Sequence, residues 1–168
     1  DSAGSASNTL AITSFTVDSS APTILSTSPA DSNTSVSESS TISVIFSEKM
    51  DTTSVTTNSS GTACTGTVQV SSDSFSTCVQ MSSSPSVSNS DETFSVSPSS
   101  SLSFSTTYKF RVTTGVKDSF GNTLNSQYET SSGFTTKNWT KQFGSSSYEE
   151  GLGVAVDSSN NIYVTGFT

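Results

Sequence analysis

The sequence predicts an all-β fold, a sandwich of about seven strands, and three observations lead to that prediction. Apolar and polar residues alternate in several short runs, which is the pattern of strands that bury one face. Turn residues separate these runs at intervals of about 8–12 residues, as in two-layer β-sandwiches. No segment carries a sustained helical period.

The strand at the centre of this prediction covers residues 42–47. Its alternate residues Ile42, Val44 and Phe46 form an apolar side, so we expect Phe46 to lie in the core. The strand ends in a polar turn at residues 48–51. Asp51 is a suitable N-cap for a single helical turn after it.

The remaining strands are predicted from the same alternation. The clearest is 107–112, where Tyr108 and Phe110 should point inward and, with Phe134, cover the apolar side of strand 42–47. Two runs on either side of residues 71–77 are expected to pair as a hairpin. The other predicted strands are 23–25, 67–70, 78–81, 93–96 and 133–136.

Composition and charge exclude some classes of protein. The hydrophobic fraction is 30 %, and about two fifths of the residues are Ser or Thr, which suits a thin two-layer β structure. The formal net charge is -8 and the six basic residues are scattered, which argues against a nucleic-acid surface. No apolar run is long enough to span a membrane.

The two cysteines, Cys64 and Cys78, would close a loop of about 15 residues if they form a disulfide, which is the default in an exported protein. The alternative is a pair of buried thiols. The sequence has no histidine to activate a thiol or a serine, so Ser-His-Asp, Cys-His and His-metal sites are excluded. The adjacent carboxylates Glu149 and Glu150 would point in opposite directions on a strand, so we expect no catalytic residues.

A calcium site is the alternative that the sequence leaves open for residues 116–124. Asp118 and the side-chain oxygen of Asn122 could offer hard oxygen ligands. In the structural alternative, Asp118 caps its own turn through an Asx hydrogen bond, and Gly121 and Asn122 supply left-handed positions. We expect no other cofactor.

Several segments occur in the order found in one family. They are 29–31 (Pro-Ala-Asp), 42–51, 108–112, 115–118 followed by Gly121-Asn122, and 133–136. With these segments, residues 21–137 resemble the bacterial Ig-like domain of S-layer and other surface proteins. The resemblance implies an immunoglobulin-like sandwich, to which the cysteine-bearing segment is a local addition. Residues 1–20 are interpreted as a linker or the end of a preceding module.

The last segment, 138–168, has a different character. It contains Trp139, then Gly-Leu-Gly-Val-Ala-Val-Asp at 151–157, then Ile-Tyr-Val-Thr-Gly at 162–166. It resembles one incomplete copy of a bacterial β-propeller repeat. Because a propeller needs several blades, we expect the chain to be the front part of a longer protein.

These resemblances lead to three hypotheses on function. The first is a non-catalytic structural or adhesion module, secreted or on the bacterial cell surface, in which the Ig-like domain presents a propeller to an extracellular protein or glycan. The second is an accessory domain of a secreted enzyme whose active site lies in the propeller. The third is a component of a self-assembling envelope layer.

Overall fold

The computed structural model describes residues 17–138, 150–157 and 162–167. Every regular element among them is a β-strand. The chain divides into two compact units, Asp1–Asn138 and Trp139–Thr168, which are described separately. The strands of the first unit are β1 (Ile24–Ser28), β2 (Ile42–Phe46), β3 (Val68–Ser71), β4 (Ser86–Ser88), β5 (Thr93–Val96), β6 (Thr107–Val112), β7 (Tyr128–Glu129) and β8 (Phe134–Thr135).

The first unit is the predicted sandwich. One sheet has the order β1-β2-β5-β4, and the other has the order β3-β6-β7 with β8 also paired to β6. All of the pairings between these strands are antiparallel. Alternate residues of both sheets meet in one hydrophobic core, which confirms the immunoglobulin-like, two-layer arrangement.

The core is built around β2, as the alternation predicted. Phe46 is 0 % exposed, and Ile42 and Val44 are also buried. The ring of Phe46 meets Phe94 of β5 edge to face, with 5.8 Å between ring centroids. Among the residues predicted to cover this face, Phe110 belongs to the same core cluster, as do the rings of Tyr108 and Phe134, which stack on each other.

The predicted hairpin between 67–70 and 78–81 is wrong. Strand β3 pairs with β6, and residues 78–81 form no strand, although the Val79 N–H donates to the Val70 carbonyl. The apolar alternation of β3 is used instead in its pairing with β6, where Val68 lies opposite Val112 and Val70 lies opposite Phe110. Strand β4 lies in a serine-rich segment for which alternation predicts no strand, and it pairs with β5.

The turn after β2 also differs from the prediction. Residues 52–54 form a hydrogen-bonded turn rather than a helical one, and the Ser54 N–H donates to the Asp51 carbonyl. The Asp51 carboxylate nevertheless accepts from the Thr53 N–H, as an N-cap would. Met50 and Val55, on either side of the turn, are both buried in the core.

The last strand of the sandwich is fastened to a segment about 100 residues earlier. The Thr135 N–H donates to the Asn33 carbonyl, the Val36 N–H to the Thr135 carbonyl and the Lys137 N–H to the Val36 carbonyl. Val36 and Thr136 form a parallel bridge. These bonds make a short parallel ladder between segments 33–36 and 135–137.

The Asp31 carboxylate secures the start of this ladder. It accepts hydrogen bonds from the backbone N–H groups of Ser131, Ser132 and Gly133 and from the Ser131 hydroxyl. The Ser131 hydroxyl is the main cause that lowers the pKa of Asp31. Gly133 has a φ of 77° and lies against the Tyr108 carbonyl, where a β-carbon would not fit.

In the described part of the second unit, β9 (Glu150–Val156) and β10 (Ile162–Phe167) form an antiparallel pair. Val156 pairs with Ile162, and Val154 pairs with Val164. The Tyr163 hydroxyl donates to the Asp157 carboxylate over 3.1 Å. Among the described residues, no helix is long and apolar enough to cross a membrane.

Candidate functional site

Two loops meet at one end of the sandwich. They are the turn 47–51 after β2 and the loop 116–123, and backbone hydrogen bonds join them. The Asp51 N–H donates to the Lys117 carbonyl and the Ser119 N–H donates to the Lys49 carbonyl. Met50 and Asp118 form an antiparallel bridge. The contact fixes both loops in place relative to the core.

Asp118 lies at the centre of this junction and is 1 % exposed. Its Oδ1 accepts from the backbone N–H groups of Phe120 and Asn122, each at 2.8 Å, and its Oδ2 accepts from the Asn122 side-chain Nδ2 at 2.7 Å. Burial by itself raises the pKa of Asp118. The hydrogen bonds from Asn122, Phe120 and Gly121 outweigh burial, so the pKa lies below its usual value.

Two further carboxylates lie beside Asp118. One oxygen each from Asp18, Glu48 and Asp118 lie within 4.8 Å of one another. Burial raises the pKa of Glu48, and the negative charges of Asp118 and Asp18 raise it further. Like charges so close repel, and a shared proton or a cation would relieve that repulsion.

Asn122 does not offer its side-chain oxygen to this cluster. Its Nδ2 donates to the Asp118 carboxylate and, over 3.1 Å, to the Asp18 carbonyl. Both partners are acceptors, which requires the amide nitrogen to face them. The structure therefore brings Asp118 and Asn122 together through the Asx turn that was the structural alternative. Gly121 has a positive φ of 96°, as that alternative predicted, but Asn122 does not, so the left-handed position predicted for Asn122 is wrong. Calcium binding stays the alternative, and the residues that could hold the ion are Asp18, Glu48 and Asp118.

The disulfide between Cys64 and Cys78 is present, with 4.9 Å between the two Cα atoms. Both cysteines belong to segments that fold over the outer face of the β3-β6-β7 sheet. Beneath them, Gln69 is 5 % exposed and its side-chain Nε2 donates to the carbonyls of Cys64 and Gly66. The cross-linked loop therefore covers the polar face of this sheet, which the alternation of apolar and polar residues predicts to be exposed to solvent.

Arg111 lies under the same loop. Its guanidinium is 3.5 Å from the centroid of the Phe75 ring, and its Nη2 pairs with the Glu129 carboxylate over 3.0 Å. Lys109 pairs with the same carboxylate over 3.5 Å. Both basic residues of β6 thus pair with one carboxylate, and Phe75 also covers the Arg111 guanidinium.

Sequence reasoning found part of this site and missed part of it. It placed Asp118 and Asn122 on one loop, but Asp18 and Glu48 join them only through the fold, and no local spacing in the sequence indicates that. Glu149, one of the two adjacent carboxylates considered for catalysis, lies outside the described residues, and Glu150 begins β9.

The fold and the loop arrangement define an immunoglobulin-like sandwich with one disulfide-bonded elaboration. The chain belongs to the bacterial Ig-like domain family, whose model matches residues 18–136. A β-propeller repeat model matches residues 138–168. No curated protein matches the chain.

Solved structures with some similarity are S-layer protein chains. The N-terminal part of the bacterial S-layer protein SbsC has a TM-score of 0.49 and 16 % identity, over 89 % of this chain and 34 % of that one. Domains 1–6 of the surface layer protein SbsC have a TM-score of 0.48 and 18 % identity, over 86 % of this chain and 19 % of that one. The chain thus spans about a fifth to a third of the length of these structures.

Proposed function

We propose that this chain is a non-catalytic structural or adhesion module, secreted or displayed on the bacterial surface. In this proposal, residues 1–20 are a linker or the end of a preceding module, the Ig-like domain of residues 21–137 is a spacer, and the repeat of residues 138–168 begins a β-propeller. The observation that carries the proposal is the order of the two family matches. The Ig-like match ends at residue 136 and the propeller match begins at residue 138, so one module leads directly into the next.

The disulfide supports an extracellular location. Structural disulfides persist in oxidising compartments and are rare in the cytosol. The Cys64–Cys78 bond joins two loops of the sandwich, and no free cysteine is found in the described residues. Reducing conditions inside a cell would remove that link.

The chemistry of the described residues supports a role without catalysis. The chain has no histidine, and the buried Asp118 carboxylate is engaged in holding its own loop. Two clefts in the first unit have volumes of about 190 Å³ and 260 Å³. Both are smaller than the roughly 300–1,000 Å³ of small-molecule sites. An extracellular protein or glycan would therefore be bound by surface loops or by the propeller.

The location is tested with antibodies raised against this chain, applied to intact cells that carry the full-length protein. We expect labelling of intact cells, and loss of the labelling after brief treatment with an external protease. A cytoplasmic protein, labelled only after lysis, is the control. Epitopes that become accessible only on lysis would contradict the proposal.

The binding role is tested with the 168-residue chain and the full-length protein on arrays of glycans and matrix proteins. We expect the full-length protein to bind, and the comparison shows which part of it carries the ligand site. Hydrolysis of an arrayed glycan or protein by the full-length protein would favour the accessory-domain hypothesis instead.

A further inference from the structure

Three segments of the sequence carry the acceptor pattern for N-linked glycosylation, which is Asn-x-Ser/Thr with no proline at x. They are Asn33-Thr34-Ser35, Asn58-Ser59-Ser60 and Asn138-Trp139-Thr140. Because Ser and Thr are abundant in this chain, such triplets arise readily by chance, and accessibility has to select among them. An acceptor must lie on the surface, since the attached sugar is bulky and hydrated.

The structure separates the first two triplets by their exposure. Asn58 is 1 % exposed and its side-chain Nδ2 donates to the Gly61 carbonyl, so a transferase could not reach it in the folded domain. Every residue from Asp31 to Ser35, in contrast, is exposed. The third triplet extends past residue 138 and lies partly outside the described residues.

The loop around Asn33 presents the side chain of this residue on a fixed backbone. The Asn33 N–H donates to the Ala30 carbonyl over 3.1 Å, and the Asn33 carbonyl accepts from the Thr135 N–H over 2.7 Å. Ser32 and Ser35 adopt positive φ, 67° and 58°, so the chain bends at both ends of this short stretch. Among the described residues, neither the Asn33 amide nor the Ser35 hydroxyl makes a side-chain hydrogen bond, so both groups are available to an enzyme.

We propose that Asn33 is a glycosylation site of the exported protein, and that the sugar donor is an oligosaccharide joined through diphosphate to a membrane lipid. In this reaction the Asn33 Nδ2 attacks the anomeric carbon of the sugar. A carbon–nitrogen bond forms while the bond between the anomeric carbon and the diphosphate oxygen breaks. The diphosphate leaves with the electron pair of that bond, and the amide proton passes to a base of the transferase. The Ser35 hydroxyl is the second group of the triplet that the transferase recognises.

Mass spectrometry of the full-length protein, isolated from the cells that produce it, tests the site. Electron-transfer fragmentation leaves a sugar on its residue, so we expect a glycan mass on Asn33 and none on Asn58. Asn33→Gln and Ser35→Ala should each lower the glycan occupancy of this peptide by about tenfold or more, because each removes one group of the triplet. Ser32→Ala is a matched change at a neighbouring residue with positive φ, and it should leave the occupancy within about twofold because Ser32 lies outside the triplet.

An Asn33 peptide at its unmodified mass would overturn the proposal. A glycan mass that survives Asn33→Gln would do the same, because the sugar would then be attached elsewhere on the peptide. The wild-type spectrum decides the question by itself, so the test stands even if a variant fails to fold. The site rests on the proposed extracellular location, and the two can fail separately: an unmodified Asn33 in a protein that antibodies label on intact cells overturns the site and leaves the location standing.

Discussion

Removal of the disulfide is the perturbation with the clearest expected magnitude. Cys64 and Cys78 are 14 residues apart, and the chain-entropy model assigns about 3 kcal/mol to closing a loop of this size. The bond also holds the loop that covers Gln69. For a domain of about 120 residues, a loss of 3 kcal/mol lowers the melting temperature by roughly 10 °C.

Differential scanning calorimetry of the Cys64→Ala/Cys78→Ala double variant measures this loss. Alanine is preferred to serine because Cys78 is buried and a hydroxyl there would add its own desolvation cost. The wild type in a strong reductant should melt close to the double variant, and the double variant itself should not respond to reductant. A loss of less than about 1 kcal/mol would refute the assignment of loop-closure stability to this bond.

Three further predictions concern the loops. Gly133→Ala should destabilise the domain by about 2–3 kcal/mol in denaturant unfolding, because its β-carbon would overlap the Tyr108 carbonyl. Glu48→Gln should raise the melting temperature at pH 7 and not at pH 3: the raised folded-state pKa means that ionised Glu48 costs stability, and this cost is absent once Glu48 is protonated in both states. Millimolar Ca²⁺ should leave the melting temperature unchanged, because three hydrogen bonds from N–H groups already engage the Asp118 carboxylate.

Each of these predictions has a matched control. Gly121 also has a positive φ, but a new β-carbon there would lie in open space. Gly121→Ala should therefore lower the free energy of unfolding less than Gly133→Ala does. Glu92→Gln removes a carboxylate outside the cluster and should not reproduce the stabilisation of Glu48→Gln. A rise of several degrees with Ca²⁺ that is lost in Glu48→Gln would show that the three carboxylates bind the ion.

The alternation of apolar and polar residues predicted the strands that bury one face. It did not predict strand β4 or the partner of β3. Strands β2 and β6 follow from period-two burial of residues such as Phe46 and Phe110. Strand β4 has no buried residue, so no apolar alternation reveals it. The partner of β3 is β6, which lies about 40 residues later in the sequence, and alternation within a strand does not specify which other strand it pairs with.

The candidate site was less predictable than the fold. Asp118 and Asn122 are four residues apart, so a local turn rule brings them together. Asp18 and Glu48 reach Asp118 only because separate segments of the chain meet at one end of the sandwich. A single sequence contains no spacing rule for such a meeting. The disulfide was predictable because two cysteines allow only one pairing within the chain.

The parallel ladder between segments 33–36 and 135–137 has a mechanical consequence. In the proposed role as a spacer, the domain would carry tension along its chain. Pulling residue 138 away from residue 17 would load the ladder's backbone hydrogen bonds, together with those of the Asp31 carboxylate, lengthwise. Bonds loaded side by side must break nearly together, whereas bonds loaded one after another open in sequence. The ladder would therefore resist extension at the C-terminal end of the sandwich.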